Sequence, residues 1–151
     1  MTASVETTLS ETQLYGYAIR LLSRRDYSEF SLRNKLKAKS NNSSLIDRVL
    51  LRVKDLGYLS DYQYAQNFIS SSVLKKRGPI WIRAKLREKG LKDPLVQEII
   101  GDVFIDWESL AENLLRERFK SECVDMKERN RRVRYLISKG YPSSIVMRVI
   151  D

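Results

Sequence analysis

Basic side chains are the residues whose spacing in this sequence could do chemistry, and that chemistry is neutralisation of an anionic partner. Arg83 and Arg87 stand four apart, which puts both on one face of a helix, with Lys85 and Lys89 around the other side. Fifty residues earlier, Arg33, Lys35, Lys37 and Lys39 occupy the same four positions. Fifty residues later only Lys139 keeps its charge, because Val133, Tyr135 and Ile137 replace the others, and the charge moves upstream to Arg129, Arg131, Arg132 and Arg134. Two short runs, Arg24-Arg25 and Lys75-Lys76-Arg77, add to the set. Phosphate neutralisation needs Lys and Arg but no base-reading geometry. A polar helix face turned to solvent is the ordinary explanation of such spacing. Contact with nucleic acid or a nucleoprotein is the other, and it is favoured because separate parts of the chain contribute.

Other chemistries find little purchase. Histidine is absent, so neither a Ser-His-Asp nor a Cys-His arrangement can be assembled, and zinc loses its usual nitrogen ligand. Cys123 is the single cysteine, expected as a small core residue and not as a nucleophile. There is no Gly-rich phosphate loop of either common kind. Asp102, Asp106 and Glu108 cluster, but just before or within the first turn of a helix, where carboxylates interact favourably with the helix dipole. The expectation is therefore a protein that is not an enzyme and that has no metal and no cofactor. Trp81, Trp107, Tyr58, Tyr62 and Tyr64 could stack on bases. Trp107 and Tyr64 fall on core positions, while Trp81, between Ile80 and Ile82 in a basic neighbourhood, is left open.

The totals agree. Among 151 residues, 28 Lys and Arg oppose 19 Asp and Glu, a net charge of +9, which fits a chain that meets nucleic acid or a partner already carrying it, and by itself fits a merely soluble basic surface as well. Hydrophobic residues make up 42%, enough for a real core. No apolar run approaches the ~18 residues of a membrane span. Met1–Leu9 lacks the basic start and apolar stretch of a signal peptide, and reads as a disordered lead-in to a cytoplasmic protein.

The elements that must hold these side chains emerge when the chain is laid against itself. Leu36, Leu86 and Leu136 are fifty residues apart, as are Lys39, Lys89 and Lys139. The same interval aligns Leu45, Leu95 and Ile145; Ile46, Val96 and Val146; Val49, Ile99 and Val149; and Leu50, Ile100 and Ile150. Within each unit these four positions run i, i+1, i+4, i+5, one apolar stripe on a helix. Ser43, Asp93 and Ser143 precede them as N-cap types, and Pro94 suits a first helical position. Earlier helices carry Leu14, Tyr17, Ala18, Leu21 and Leu22; Tyr64, Ala65, Phe68 and Ile69; and Trp107, Leu110, Ala111, Leu114 and Leu115. Ser10 with Gln13, and Ser60 with Gln63, spell capping boxes. Middle helices hold Leu32 and Leu36; Ile82 and Leu86; and Val133, Leu136 and Ile137, with Gly90 and Gly140 placed for left-handed C-caps.

The pattern predicts an all-α chain of three tandem three-helix repeats, 10–60, 61–106 and 107–151. Stacked in series, such units form an elongated, curved helical array. The basic excess is shared among them: ten basic residues against five acidic in the first, eight against six in the second, ten against seven in the third.

Four stretches carry a resemblance. They are Ala18-Ile19-Arg20-Leu21-Leu22-Ser23-Arg24-Arg25 followed by Ser28-Glu29; Gly57-Tyr58-Leu59-Ser60-Asp61 with Tyr64-Ala65; Lys75-Lys76-Arg77-Gly78-Pro79 leading into Ile82-Arg83 and Leu86-Arg87-Glu88-Lys89-Gly90; and Leu136-Ile137-Ser138-Lys139-Gly140-Tyr141. In this order, from about Leu14 to the C-terminus, the chain resembles the RecX family. The resemblance implies a modular helical protein without an active site that lies in the groove of the RecA–single-stranded DNA filament. There it would limit filament growth, ATP hydrolysis, strand exchange and co-protease activity, and so act in DNA repair and the SOS response. The partners expected are the RecA filament and single-stranded DNA, with double-stranded DNA bound weakly, by a monomer with no membrane attachment. A general helical-repeat nucleic-acid-binding protein without a RecA partner is the alternative. The family supplies no fixed residue list, so the basic residues above stand on charge placement alone.

Overall fold

A computed structural model describes residues 9–151, in which nine α-helices and no strand are found. In chain order they are α1 Glu11–Arg24, α2 Glu29–Lys37, α3 Ser43–Asp55, α4 Asp61–Leu74, α5 Pro79–Glu88, α6 Asp93–Asp102, α7 Trp107–Arg118, α8 Met126–Ser138 and α9 Ser143–Val149. Of the lead-in, Met1–Thr8 lies outside the described residues, and Leu9 rests against the first core. The described residues form two compact units, one holding residues 9–65 with Lys89–Lys92, the other Gln66–Glu88 with Asp93–Asp151.

Helix starts are set by short polar side chains that satisfy otherwise unpaired N–H groups. Ser10 and Gln13 make the reciprocal capping box at α1. Ser28 accepts from the Ser31 N–H at α2, and Ser60 from the Gln63 N–H at α4. Asp106 and Asp125 cap α7 and α8 through the N–H groups of Ser109 and Glu128. Two expected caps shift by one residue. Asn42, not Ser43, caps α3 by accepting from Leu45, and at α9 the cap position belongs to Pro142, which offers no side-chain hydrogen bond. At α6 the helix begins at Asp93 itself, one residue ahead of Pro94.

In the first unit Leu14 and Ala18 of α1, Leu32 and Leu36 of α2, and Leu45, Ile46, Val49, Leu50 and Val53 of α3 close one core. In the second, Ala111 and Leu114 of α7, Leu136 of α8 and Val146 of α9 close another with Tyr141, and Trp107 lies half-buried against it. Leu36, Leu86 and Leu136 are all fully buried, each such side chain contributing about 1.5–3 kcal/mol. Ile137, expected on the same stripe, is half exposed, while Val133 and Tyr135 pack partly buried against this core. Cys123 is exposed, contrary to its expected core place. It sits between α7 and α8 in a polar segment that no apolar helix period reaches.

One joint recurs in the fifty-residue register. In the second unit the Gly78 N–H donates to the Lys139 carbonyl at 2.8 Å, the Ile80 N–H to the Gly140 carbonyl at 2.9 Å, and the Tyr141 hydroxyl to the Lys76 carbonyl at 2.8 Å. A Cβ on Gly78 would come within 2.4 Å of the Gly140 carbonyl carbon and oxygen. Gly140 itself has φ +97° and lies against Trp81. In the first unit the corresponding bond runs from the Ser28 hydroxyl to the Lys89 carbonyl at 2.8 Å, and Gly90, φ +86°, lies against Phe30. In both places a later loop covers the start of a middle helix: in the second unit it accepts from two backbone N–H groups there, in the first from the capping hydroxyl. Position 29 needs an extra acceptor, Asp61 Oδ1 at 2.8 Å from the Glu29 N–H; at position 79, fifty residues on, proline has no N–H to satisfy.

Candidate nucleic-acid interface

Cations held over aromatic rings set much of the basic surface. Arg25 lies 4.6 Å from the Tyr27 ring centroid, and the Lys39 ammonium 5.4 Å from that of Tyr17. Arg52, which the sequence reading did not single out, is closer still, 3.7 Å over Tyr15. In the second unit Arg77 and Lys85 lie 4.7 and 5.7 Å from Trp81, which stacks on Phe68 with centroids 5.9 Å apart. Trp81 is thus engaged by packing on several sides: Phe68, Gly140 and two cations. Each exposed ring–cation contact contributes about 0.5–1 kcal/mol and fixes a flexible charged group in place.

Several candidate cations are spent on the protein's own carboxylates. Arg33 bridges to Asp47 at 2.8 Å and lies 3.9 Å from Glu29, so it ties α2 to α3. Lys76 pairs with Glu117, Lys85 with Glu88, and Arg87 with Asp93. Arg129 grips Asp151 through two nitrogens, which holds that carboxyl below its usual range. Arg131 and Arg132 share Glu128, whose carboxyl is lowered chiefly by its hydrogen bond with Arg132, and Arg132 also donates to the Ser121 carbonyl at 2.7 Å. The exposed pairs among these contribute little to stability.

The remaining candidates, Arg24, Lys37, Lys75, Arg83, Lys89, Arg134 and Lys139, meet no carboxylate at ion-pair distance among the described residues, although Lys139 lies 5.5 Å from the Tyr135 ring centroid. Arg83 and Arg87 are brought together as their spacing predicts. With Asp93, Pro94, Val96 and Gln97 they line a cleft of about 380 Å³ between α5 and α6, and the Arg83 Nε is buried there without a hydrogen-bond partner.

Two members of the acidic cluster have separate structural duties. Asp106 caps α7, and the hydrogen bonds from Ser109 hold its carboxyl below the usual range; Glu108 pairs with Arg148 at 3.0 Å. Among the described residues no group of His, Cys, Asp and Glu could hold a metal, and no helix is long and apolar enough to cross a membrane.

Sequence reading missed the group around Phe119. That residue ends α7, and its ring meets Tyr135 edge-on, centroids 5.5 Å apart, with Arg118, Arg131 and Arg132 at 4.9–5.3 Å. The signal was present as Arg-x-Arg-Phe ahead of the basic helix, but it falls outside the aligned positions of the repeat.

Comparison with known proteins gives a consistent result. Three family models match in order: RecX, first three-helix domain, over residues 15–52; RecX, second three-helix domain, over 60–100; and RecX, third three-helix domain, over 106–150. The regulatory protein RecX of Haemophilus influenzae (strain PittEE) is 37% identical over 132 residues, 85% of this chain and 87% of the relative. That of Chromohalobacter salexigens is 37% identical over 124 residues, 82% of each. The crystal structure of RecX from Lactobacillus salivarius aligns with a TM-score of 0.82 at 20% identity, covering 93% of this chain and 94% of that one; at that identity it speaks for the fold alone.

Proposed function

The chain belongs to the RecX family, and from there we propose that it is a negative regulator of the RecA recombinase. In this reading it binds in the groove of the RecA–single-stranded DNA filament and limits filament growth, ATP hydrolysis, strand exchange and co-protease activity. It acts as a cytoplasmic monomer, without catalysis of its own, through repeats spanning 10–60, 61–106 and 107–151. One observation supports it beside family membership: among the described residues, each of the three proposed repeats keeps basic side chains that meet no carboxylate at ion-pair distance, Arg24 and Lys37, then Lys75 and Lys89, then Arg134 and Lys139. A long ligand gains from several modest contacts made together more than from one strong contact.

The deciding experiment is RecA ATPase on single-stranded DNA with the protein titrated in. Suppression well below RecA monomer concentrations speaks for capping, and suppression near stoichiometry for coating of the groove. Unchanged ATPase and filament assembly, with tight binding to bare DNA, would leave a general nucleic-acid-binding protein in its place. The unspent cations favour that second reading equally, and salt separates the two: inhibition of RecA that survives once bare-DNA binding has been suppressed belongs to a filament ligand.

A further inference from the structure

We propose that Phe119 and Tyr135 are positioning residues of a phosphodiester-binding arginine cluster at the junction of α7 and α8, with Arg118 and Arg131 as the groups that meet the phosphates. The inference rests on the nucleic-acid contact proposed above and names a site for it. The guanidinium carbons of Arg118, Arg131 and Arg132 lie 5.3, 5.2 and 4.9 Å from the Phe119 centroid. Arg118 is also 5.8 Å from Tyr135, and Lys139 is 5.5 Å from the same ring. Two rings therefore gather four cations, while the nearby pairing carboxylate is that of Glu128 alone among the described residues.

Such crowding of like charge is unfavourable unless something opposes it. The rings do so in part, through their negative faces. The segment from Arg116 to Lys139 nevertheless holds nine basic residues against four acidic ones, and three of the acids are committed: Glu117 to Lys76, Asp125 to the start of α8, and Glu128 to Arg131 and Arg132, while the fourth, Glu122, is exposed and meets no cation at ion-pair distance among the described residues. An anion is what the cluster lacks. Arg132 is the fixed member, its side chain only 12% exposed and tied to Glu128 and the Ser121 carbonyl. Arg131 is 56% exposed and pairs with Glu128 through one nitrogen only, and Arg118 is exposed, so their planar forks can turn to phosphate oxygens while the rings limit the conformational freedom lost on binding. Because guanidinium groups already occupy the ring faces, the ligand recognised is the sugar–phosphate backbone and not the bases.

The test is fluorescence anisotropy with labelled oligo(dT) and with an abasic oligonucleotide of equal length, using the full chain. Phe119→Leu keeps apolar volume but removes the ring; it is expected to weaken both ligands about three- to tenfold, while Phe119→Tyr restores binding. Adding Arg118→Gln to Phe119→Leu should then cost less than Arg118→Gln costs in the parent. Wild-type binding by Phe119→Leu would overturn the proposal, as would loss on oligo(dT) alone, which would mean base stacking. Loss of RecA inhibition with oligo(dT) binding intact would also overturn it, since the cluster would then face protein. Arg118→Gln with Arg131→Gln, both at exposed positions, checks the charge without touching the core, and unchanged affinity there counts against the site. If the parent protein binds neither oligonucleotide nor filament at low salt, it is the functional reading itself that fails.

Discussion

Single atoms decide the recurring joint. At Gly78 a methyl group would have to enter space held by the Gly140 carbonyl, and backbone yields less readily than a side chain. Gly78→Ala is expected to cost about 1–3 kcal/mol in urea unfolding. Gly16, inside α1 with only an arginine tip at 3.5 Å, should behave oppositely: Gly16→Ala gains about 0.5–1 kcal/mol. Asp61 offers a pH-dependent counterpart. Burial pushes its carboxyl above the usual range despite the Glu29 N–H that it accepts. A raised carboxyl favours the fold fully at pH below its unfolded value, and that advantage is lost as pH rises through the folded one. Asp61→Asn keeps the acceptor and removes the buried charge, so it should be more stable than the parent at neutral pH, with the difference vanishing in acid; chemical denaturation across pH reads this directly. None of it was legible in the sequence, where the Leu-Ser-Asp run ending at Asp61 shows residue types and not their partners some thirty residues away.

At the scale of helices the sequence was far more informative, because apolar periodicity and burial are one fact seen twice. Ile46, Val96 and Val146 align at fifty-residue intervals and are all buried, as are the three leucines of the middle helices. Leu86→Asp should therefore cost more than about 3 kcal/mol and lower the helical signal at physiological temperature, whereas the same change at exposed Leu74 should be nearly silent. Helix ends were read less well. Asn42 stands next to Ser43 and both are good caps, so composition alone could not choose between them; the geometry chose Asn42. Tertiary surroundings also reassigned Ile137, since a stripe says which side of a helix is apolar but not how wide a neighbour will cover it, while Cys123 lies on no helix at all.

For the molecule as a whole the governing quantity is charge, a net +9 spread along the chain. If the proposed contact with phosphate holds, the logarithm of affinity for single-stranded DNA falls linearly with the logarithm of salt concentration. Replacing Arg83, Arg87 and Lys89 with Gln should flatten that slope by about 2 if all three meet phosphate, without moving the unfolding midpoint by much. A slope unaffected by the triple change would assign the α5 face to solvent. The basic faces were visible in the sequence from their spacing, but which cations stay available was not. Arg33 and Arg129 look like Lys37 and Arg134 until Asp47 and Asp151 are seen beside them.

Lys89 and Lys139 hold a double position. Each gives its carbonyl oxygen to a joint, accepting from the Ser28 hydroxyl and from the Gly78 N–H, while the residue as a whole stays half-buried. The atoms that fasten the protein together are the ones every amino acid possesses; the atoms that would meet a partner are those particular to lysine. Selection can therefore exchange the tool without touching the socket, and the partner-facing chemistry at these two places is free to drift at little risk to the fold.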